Sequence, residues 1–446
     1  MRQISLGKLR ALFALPPRNE VCAYANDLPT RLVNNLKLSS FTVVLFYLVL
    51  FLGAKLIINA VTATLLSDTL PYDFFSDLTI FPPFAIFLKT IPALGGLFTT
   101  TNQPTSNVVM PYLRDYCDIT LMIIASMHMT LIHKQWIRIS GAASTLWKDK
   151  VLNRDVLGET GYQELIKDAN KWFGQKRWNY TALVISAVVI VLIYLSFARW
   201  GIYSSLSRAV EGTDTTWEQL AYSGWWSNPA NTGWLPLLYS AMVYFVFLYY
   251  VLLHNIAGVG TVRLLTRLVK KHIVGTGKSL LTPQPYHADG FCGLQVIRVI
   301  MTHVYLSLLM TGFAILMMYY YVPLRVTMVV LPFVGLYLFA IVAYVAIPLY
   351  LLHRDLTHAR ESVLEDARVR LGTLDNSISR TLSSLDTLPS SAPDLSPQLQ
   401  LRQYYLERYR CCLQIPTALF SFKRWVIFIF AYLIPVFGIL LQLPKK

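Results

Sequence analysis

The sequence has few charged residues, which make up 14% of its 446 positions, against about a quarter in soluble domains. Apolar residues make up 55% of the chain and the mean hydropathy is +0.47. This composition argues against a soluble enzyme, a disordered chain and a fibrous protein. It predicts an integral membrane protein.

The sequence also lacks the spacings that mark common catalytic and metal sites. It has no His-Glu-x-x-His motif, no Gly-x-Ser-x-Gly motif and no cysteine and histidine spacing typical of zinc. Residues 275–279 have the form of the end of a phosphate-binding loop, but His272 stands where that pattern needs a glycine. We therefore expect no enzymatic activity and no cofactor, and the sequence leaves metal binding open.

Apolar runs of about 20 residues can cross the hydrocarbon core of a membrane as helices. The predicted spans cover about 41–65, 115–132, 181–198, 234–254, 297–320, 323–352 and 425–441. The second span is the weakest because it contains Asp118. Segment 74–97 is apolar but rich in proline and glycine, which predicts an interfacial or re-entrant segment. The fold class is thus all-α and polytopic, with about seven transmembrane helices.

The basic residues predict the topology of these spans. Of the 39 Lys and Arg residues, 29 fall in segments 1–40, 134–179, 256–295 and 353–423. By the positive-inside rule these four segments are cytoplasmic, so the N-terminus is in and the C-terminus is out. The first span is expected to be a retained anchor, since its apolar run is too long for a signal peptide. Segment 424–446 then holds span 7 and a short outer tail.

This topology also places the aromatic and cysteine residues. Trp217, Trp225, Trp226 and Trp234 fall near the outer face, where an aromatic belt is expected. The five cysteines fall in cytoplasmic segments or in the membrane, so no structural disulfide is expected. The adjacent Cys411 and Cys412 fit either a packed pair or a palmitoylated or redox-active pair.

Segment 353–423 has a heptad pattern that predicts a long helix continuing from span 6. The positions with a/d spacing are Leu364, Ala367, Leu371, Leu374, Ile378, Thr381, Leu385 and Leu388. All are apolar except Thr381, which weakens the case for a coiled coil. A second helix is expected over about 398–413. The pair is either an oligomerising or gating stalk, or an intramolecular helical hairpin.

The two other internal cytoplasmic segments each predict an amphipathic helix. In segment 134–179 the apolar pattern consists of Tyr162, Leu165, Ile166, Ala169, Trp172 and Phe173. After span 4, four basic residues share one helix face, namely Arg263, Arg267, Lys270 and Lys271. This face predicts contact with anionic lipids, and the alternative is a solvated extension of span 4.

Residues 283–294 form a distinctive loop just before span 5. His287 and Asp289 can point together in a turn, and Gly290 and Gly293 permit a tight backbone. Such a loop could bind an ion, a ligand or a proton. The alternative is an Asp-Gly turn in which His287 caps span 5.

On these residues the chain resembles a group of uncharacterised bacterial multi-span membrane proteins that carry a His-Pro-Asp-Gly-x-Gly-Gly-Leu loop. It keeps the histidine, the aspartate, two of the glycines and the leucine, Leu294, but has Ala288 for the proline and Cys292 for a glycine. The resemblance implies a bacterial inner (plasma) membrane and marks the loop as functional. It implies no chemistry.

Ionisable residues inside predicted spans are candidate functional residues. Lys55 and Asp118 fall at similar depth, because Lys55 lies about 21 Å along span 1 at 1.5 Å per residue. We expect them to pair, either to neutralise two charges or to line an ion path. His128 and His303 fall in the cytoplasmic half of the membrane. We expect them either to form a proton or ion relay together, or each to form a single hydrogen bond with a backbone carbonyl.

These features together predict an oligomeric ion channel or membrane-permeability effector that is gated through its cytoplasmic helices. The alternatives are a solute transporter and a sensor or scaffold that binds a cytoplasmic protein partner. The expected partners are anionic lipids and further copies of the chain. Nucleic acid is not expected, since the topology accounts for the net charge of +15.

Overall fold

The structure is a computed structural model. It describes residues 27–62, 112–203, 214–270, 291–322, 327–385 and 395–413, and also positions 21, 281, 282, 284, 287, 289 and 433. Segment 74–97, the Gly275–Ser279 stretch and, apart from position 433, the predicted span 7 lie outside the described residues.

The described part of the chain is helical. Helices α1 (Leu28–Asn35), α2 (Ser40–Leu48) and α3 (Ala54–Val61) come first, and a π-helical turn at Val49–Gly53 joins the last two. The remaining helices are α4 (Tyr116–Lys148), α5 (Arg154–Phe173), α6 (Lys176–Trp200), α7 (Trp217–Ser223), α8 (Pro229–Thr232), α9 (Trp234–Lys270), α10 (Gln295–Tyr321), α11 (Thr327–Ile341), α12 (Ile347–Leu385) and α13 (Ser396–Leu413).

Six of these helical stretches are long and apolar enough to cross a membrane, and they correspond to the first six predicted spans. They are Ser40–Val61, Tyr116–Lys148, Arg154–Trp200, Trp234–Leu264, Gln295–Tyr319 and Val334–Ser383. The all-helical membrane fold is confirmed. The count of seven spans and the orientation of the termini stay predictions.

Helix α4 is the centre of the bundle. Two thirds of its apolar window is buried (67%), against 22–50% for the other five stretches. It packs against α1, α2, α9 and, over the longest contact, α10. Since α4 faces other helices instead of lipid, its polar side chains can be paired within the protein. This explains why the span with the lowest hydropathy is the most deeply buried.

One end of the bundle carries a helical layer outside the spans. Of its predicted apolar face, helix α5 buries Tyr162, Ile166, Ala169 and Phe173, while Leu165 and Trp172 are half-buried. Beside it, Leu281 forms an antiparallel bridge with Leu152, which follows α4. We call this end of the bundle the hairpin end, after the hairpin that α12 and α13 form there. The opposite end is called the Asp115 end, after the residue that precedes α4.

Helices α12 and α13 form an antiparallel hairpin in this layer. Asp375 pairs with Arg402 at 2.6 Å, and Arg370 donates to the Tyr405 hydroxyl at 2.9 Å. The described heptad positions of α12 are buried or half-buried on the side that packs against α13. The pattern therefore serves an intramolecular hairpin, and Cys412 packs beside Cys292 at its base.

The prediction of an aromatic belt is partly wrong. Trp234 is 66% exposed and fits a lipid-facing belt, whereas Trp225 and Trp226 are buried. Their indole groups instead donate hydrogen bonds inside the bundle at its Asp115 end.

Candidate functional site: buried polar clusters along helix α4

Lys55 and Asp118 form a buried ion pair between α3 and α4. The Lys55 Nζ lies 2.6 Å from Asp118 Oδ1 and 2.9 Å from Oδ2, and it also donates to Ser240 Oγ at 3.1 Å. The Tyr244 hydroxyl donates to Asp118 Oδ1 at 2.5 Å. The two charged side chains are 1% and 0% exposed. Charges this deeply buried persist only when they are paired and hydrogen-bonded.

The aromatic rings around Lys55 complete its environment. Its ammonium lies 4.8 Å from the ring centroid of Tyr244 and 5.5 Å from that of Trp226, both within the range of a cation–π contact. The π-helical turn just before α3 changes the register of this span, and Tyr239 donates to the Leu50 carbonyl within that turn. Such turns often occur at functional sites.

Asp115, at the N-cap of α4, is a second buried carboxylate beside this pair. Its Oδ1 accepts from the Tyr203 hydroxyl and the Asp118 backbone N–H. Its Oδ2 accepts from the Trp225 and Trp226 indoles and from the Tyr321 hydroxyl, at 2.7–2.9 Å. Three of these five donors are N–H groups that can only donate, so Asp115 is the acceptor in at least these three bonds. Sequence reasoning missed this role, although Asp115 begins the predicted span 2.

The Asp115 end therefore holds two carboxylates, Asp115 and Asp118, and one ammonium, Lys55. All three side chains are buried. Asp115 connects the ends of α6 and α10 and the segment after α7 to the start of α4. Its role is therefore to hold four parts of the bundle together. Asp118 is the carboxylate that pairs with the Lys55 ammonium. It is therefore the group at this end at which a proton could bind or leave.

A second cluster lies farther along α4 and contains two histidines joined by a serine. His128 Nε2 lies 2.6 Å from Ser307 Oγ, which lies 2.8 Å from His254 Nε2. The serine hydroxyl has one proton, so at least one histidine carries its proton on Nε2. The Nδ1 atoms of both histidines are buried and have no hydrogen-bond partner among the described residues.

His303 forms no hydrogen bond with His128, so the two do not form the predicted direct relay. Its Nδ1 bonds to the Val299 carbonyl of its own helix at 2.8 Å, as in the simpler alternative. It lies one turn before Ser307 on α10. Ser307 instead joins His128 to His254, which the sequence places at the end of span 4 without further signal.

A third cluster joins α1, α2, α4 and α9 nearer the hairpin end. The Tyr47 hydroxyl lies 2.6 Å from His133 Nε2, and Thr30 Oγ1 lies 2.7 Å from His133 Nδ1. Thr30 also donates to Asp27, which accepts from the Tyr250 hydroxyl at 2.8 Å. Because Thr30 donates to Asp27, it accepts from His133, so the proton of this imidazole lies on Nδ1. Burial raises the pKa of Asp27, although its hydrogen bonds oppose this effect.

The loop before α10 is organised by Asp289. Its carboxylate accepts from the backbone N–H groups of Phe291, Gly293 and Gln295 at 2.8–3.1 Å, and His287 Nδ1 lies 3.0 Å away. Asp289, and not His287, therefore caps the start of α10. Partial burial raises the pKa of Asp289, but these hydrogen bonds outweigh it and hold the pKa below its ordinary value of 3.8.

Gly293 is required in this loop for a steric reason. Its φ is +83°, and a Cβ there would lie 2.2 Å from Val151 Cγ2. The loop thus packs directly on the turn that follows α4. Gly290 lies outside the described residues. No group of three or more His, Cys, Asp or Glu residues suited to a metal occurs in the described part of the chain.

The basic face after span 4 is only partly described. Helix α9 continues through Arg263, Arg267 and Lys270, and Lys271 lies outside the described residues. Arg263 is exposed and lies 5.3 Å from the ring centroid of Trp172 on α5. Lipid contact by this face stays a prediction.

Comparisons with known proteins add no family to this description. No protein-family model, no curated protein and no solved structure matches the chain.

We predict that the stability of the bundle depends on keeping Lys55 and Asp118 together. Asp118→Asn or Lys55→Met alone leaves one buried charge unpaired and should lower the free energy of unfolding by about 3–5 kcal/mol. The double variant Lys55→Met/Asp118→Leu should recover most of this loss, because it removes both charges of the pair together. Denaturant unfolding in detergent micelles measures these differences.

The matched control is Asp375→Asn, which breaks an exposed ion pair on the hairpin. Its effect should be below about 1 kcal/mol. Additive losses in the double Lys55 and Asp118 variant would contradict the pairing.

We also predict a pH-dependent contribution from Asp289. Because its folded pKa is lowered, its stabilising effect is complete above its ordinary value of 3.8 and is lost as the pH falls through the folded pKa. Asp289→Asn should therefore melt below the wild type at neutral pH, and the gap should narrow on acidification below 3.8.

Thermal melting in detergent over a pH series tests this expectation, with the exposed Asp155→Asn as control. A gap between wild type and Asp289→Asn that stays constant across the series would show that the carboxylate does not act in this way.

Proposed function

We propose that the protein is a membrane transport protein in which protons move along helix α4. The observation that carries this proposal is the line of three buried polar clusters on one central helix. Ionisable groups are rare inside membranes because they are costly, and where they occur they commonly mark ion pathways and proton relays.

The chemistry of the clusters suits proton movement. When one histidine has taken up a second proton, Ser307 can accept the Nε2 proton of that imidazolium while its own hydroxyl proton passes to the Nε2 of the other histidine. The first imidazole is then neutral, the second is the imidazolium, and the hydroxyl is restored. His133, Thr30 and Asp27 form a comparable chain nearer the hairpin end.

The clusters are not continuous in this conformation. Asp118 and His128 are ten residues apart on α4, which is about 15 Å. Buried apolar side chains fill this interval, among them Leu121, Met122 and Ala125. This apolar layer is the expected barrier of a closed state. Transport therefore requires a rearrangement that opens the path first to one side of the membrane and then to the other.

A gated oligomeric channel is the second candidate. The hairpin favours it because several apolar side chains there are exposed, namely Val369, Leu382, Leu399, Leu401 and Tyr404. Such side chains outside the spans are suited to contacts between copies of the chain.

Proton flux into reconstituted vesicles tests the proposal. Wild-type protein in vesicles with an imposed membrane potential, inside negative, should acidify a lumen that contains a pH-sensitive dye. The Lys55→Met/Asp118→Leu variant, which is expected to fold, should show only the flux of protein-free vesicles. Ser307→Ala should also lose flux, because it removes the bridge between the two histidines.

Asp214→Asn, at an exposed position between α6 and α7, is the control and should behave as the wild type. Wild-type flux at the protein-free level, or normal flux in the double variant, would contradict the proposal. Electrical recording separates the two candidates, since a channel gives unitary current steps and a transporter does not.

A further inference from the structure

A cavity of about 150 Å³ lies between α6, α9, α10 and α11. Its walls extend from Leu308 to Met318 on α10 and from Tyr244 to Asn255 on α9. Each stretch corresponds to about 15 Å of helix. The space is therefore narrow for its length, and it admits a segment of one slender chain.

The cavity opens toward the lipid. Its lining residues Leu192 on α6 and Leu336 on α11 are 47% and 54% exposed, and both lie in stretches that can span the membrane. A molecule that enters between these two helices comes from the hydrocarbon core. The side chains that line the cavity are almost all apolar, and none of those described is charged. Such walls admit a neutral lipid and disfavour an ionised one.

One polar group in the wall has no partner. Tyr337 lines the cavity and is 4% exposed, and its hydroxyl forms no hydrogen bond with the described residues. By contrast, Thr311 and Asn255, in the same wall, each donate to a backbone carbonyl of their own helix. A buried hydroxyl without a partner costs free energy, so an oxygen atom on the occupant would stabilise the site.

We propose that this cavity binds a neutral single-chain lipid with an oxygen-bearing head, of the class of long-chain and isoprenoid alcohols. The chain lies along α9 and α10, and the head oxygen accepts a hydrogen bond from Tyr337. Tyr244 also lines the cavity while its hydroxyl donates to Asp118, so the lipid lies directly behind the buried ion pair. The proposal does not depend on proton transport.

Photo-crosslinking of the full-length protein tests this site. The probe is a long-chain alcohol with a diazirine midway along its chain, added to vesicles of phosphatidylethanolamine and phosphatidylglycerol. Mass spectrometry should place adducts on the walls formed by α9, α10 and α11. An excess of unlabelled alcohol should suppress them, while an equal excess of the alkane of the same length should not.

Variants of the same wall define the two parts of the site. Ala340→Phe fills the cavity and should abolish these adducts, while Leu338→Phe, on the exposed face of the same helix, should not. Tyr337→Phe keeps the shape and removes the donor. Labelling by the alcohol should fall about fivefold in this variant, the factor that one neutral hydrogen bond gives.

The competition experiment on the wild type keeps the test decisive if Ala340→Phe does not fold. Equal competition by alcohol and alkane, unchanged labelling of Tyr337→Phe, or adducts confined to lipid-exposed surfaces would each overturn the proposal. A cross-link between the cavity wall and residues 425–441 would also overturn the proposal, because it would show that the chain itself fills the cavity.

Discussion

The ion pair between Lys55 and Asp118 is the constraint on which the arrangement of the bundle depends. Two charges in a hydrocarbon environment must meet each other, since neither water nor lipid can solvate them. Their contact fixes α3 against α4. Lys55 also donates to Ser240, and Tyr244 donates to Asp118, so the pair is bonded to α9 as well. Helix α4 thereby becomes the central helix, surrounded by protein on most sides, where further polar side chains can be tolerated.

A related principle operates at the two ends of the α4 and α10 pair. Asp115 at the start of α4 accepts from Tyr321 at the end of α10, and the loop held by Asp289 at the start of α10 packs on Val151 after α4. Each carboxylate accepts backbone N–H groups near a helix N-terminus, where a negative charge is favoured. The longest helix contact in the bundle is therefore fastened at both ends, and the histidine cluster lies between them.

Much of this fold follows from the sequence alone. Hydropathy identified the six spanning helices, and simple depth arithmetic brought Lys55 to the level of Asp118. The heptad pattern gave the long helix α12 and its antiparallel partner. Where sequence reasoning failed, the missing information was the rotation of one helix against another. The connection of His128 to His254 through Ser307, instead of to His303, depends on that rotation, and so do the roles of Asp115 and His133. Trp225 and Trp226 were assigned to the membrane surface because composition does not reveal a buried acceptor such as Asp115.

The most direct test of the central claim is the distance between the Lys55 Nζ and the Asp118 Cγ, measured by solid-state NMR on isotopically labelled protein in lipid bilayers. The two N···O distances of 2.6 and 2.9 Å predict strong dipolar coupling between these nuclei, together with the ¹⁵N shift of a charged ammonium. The absence of that coupling, or the shift of a neutral amine, would contradict an ionised pair at the centre of the bundle.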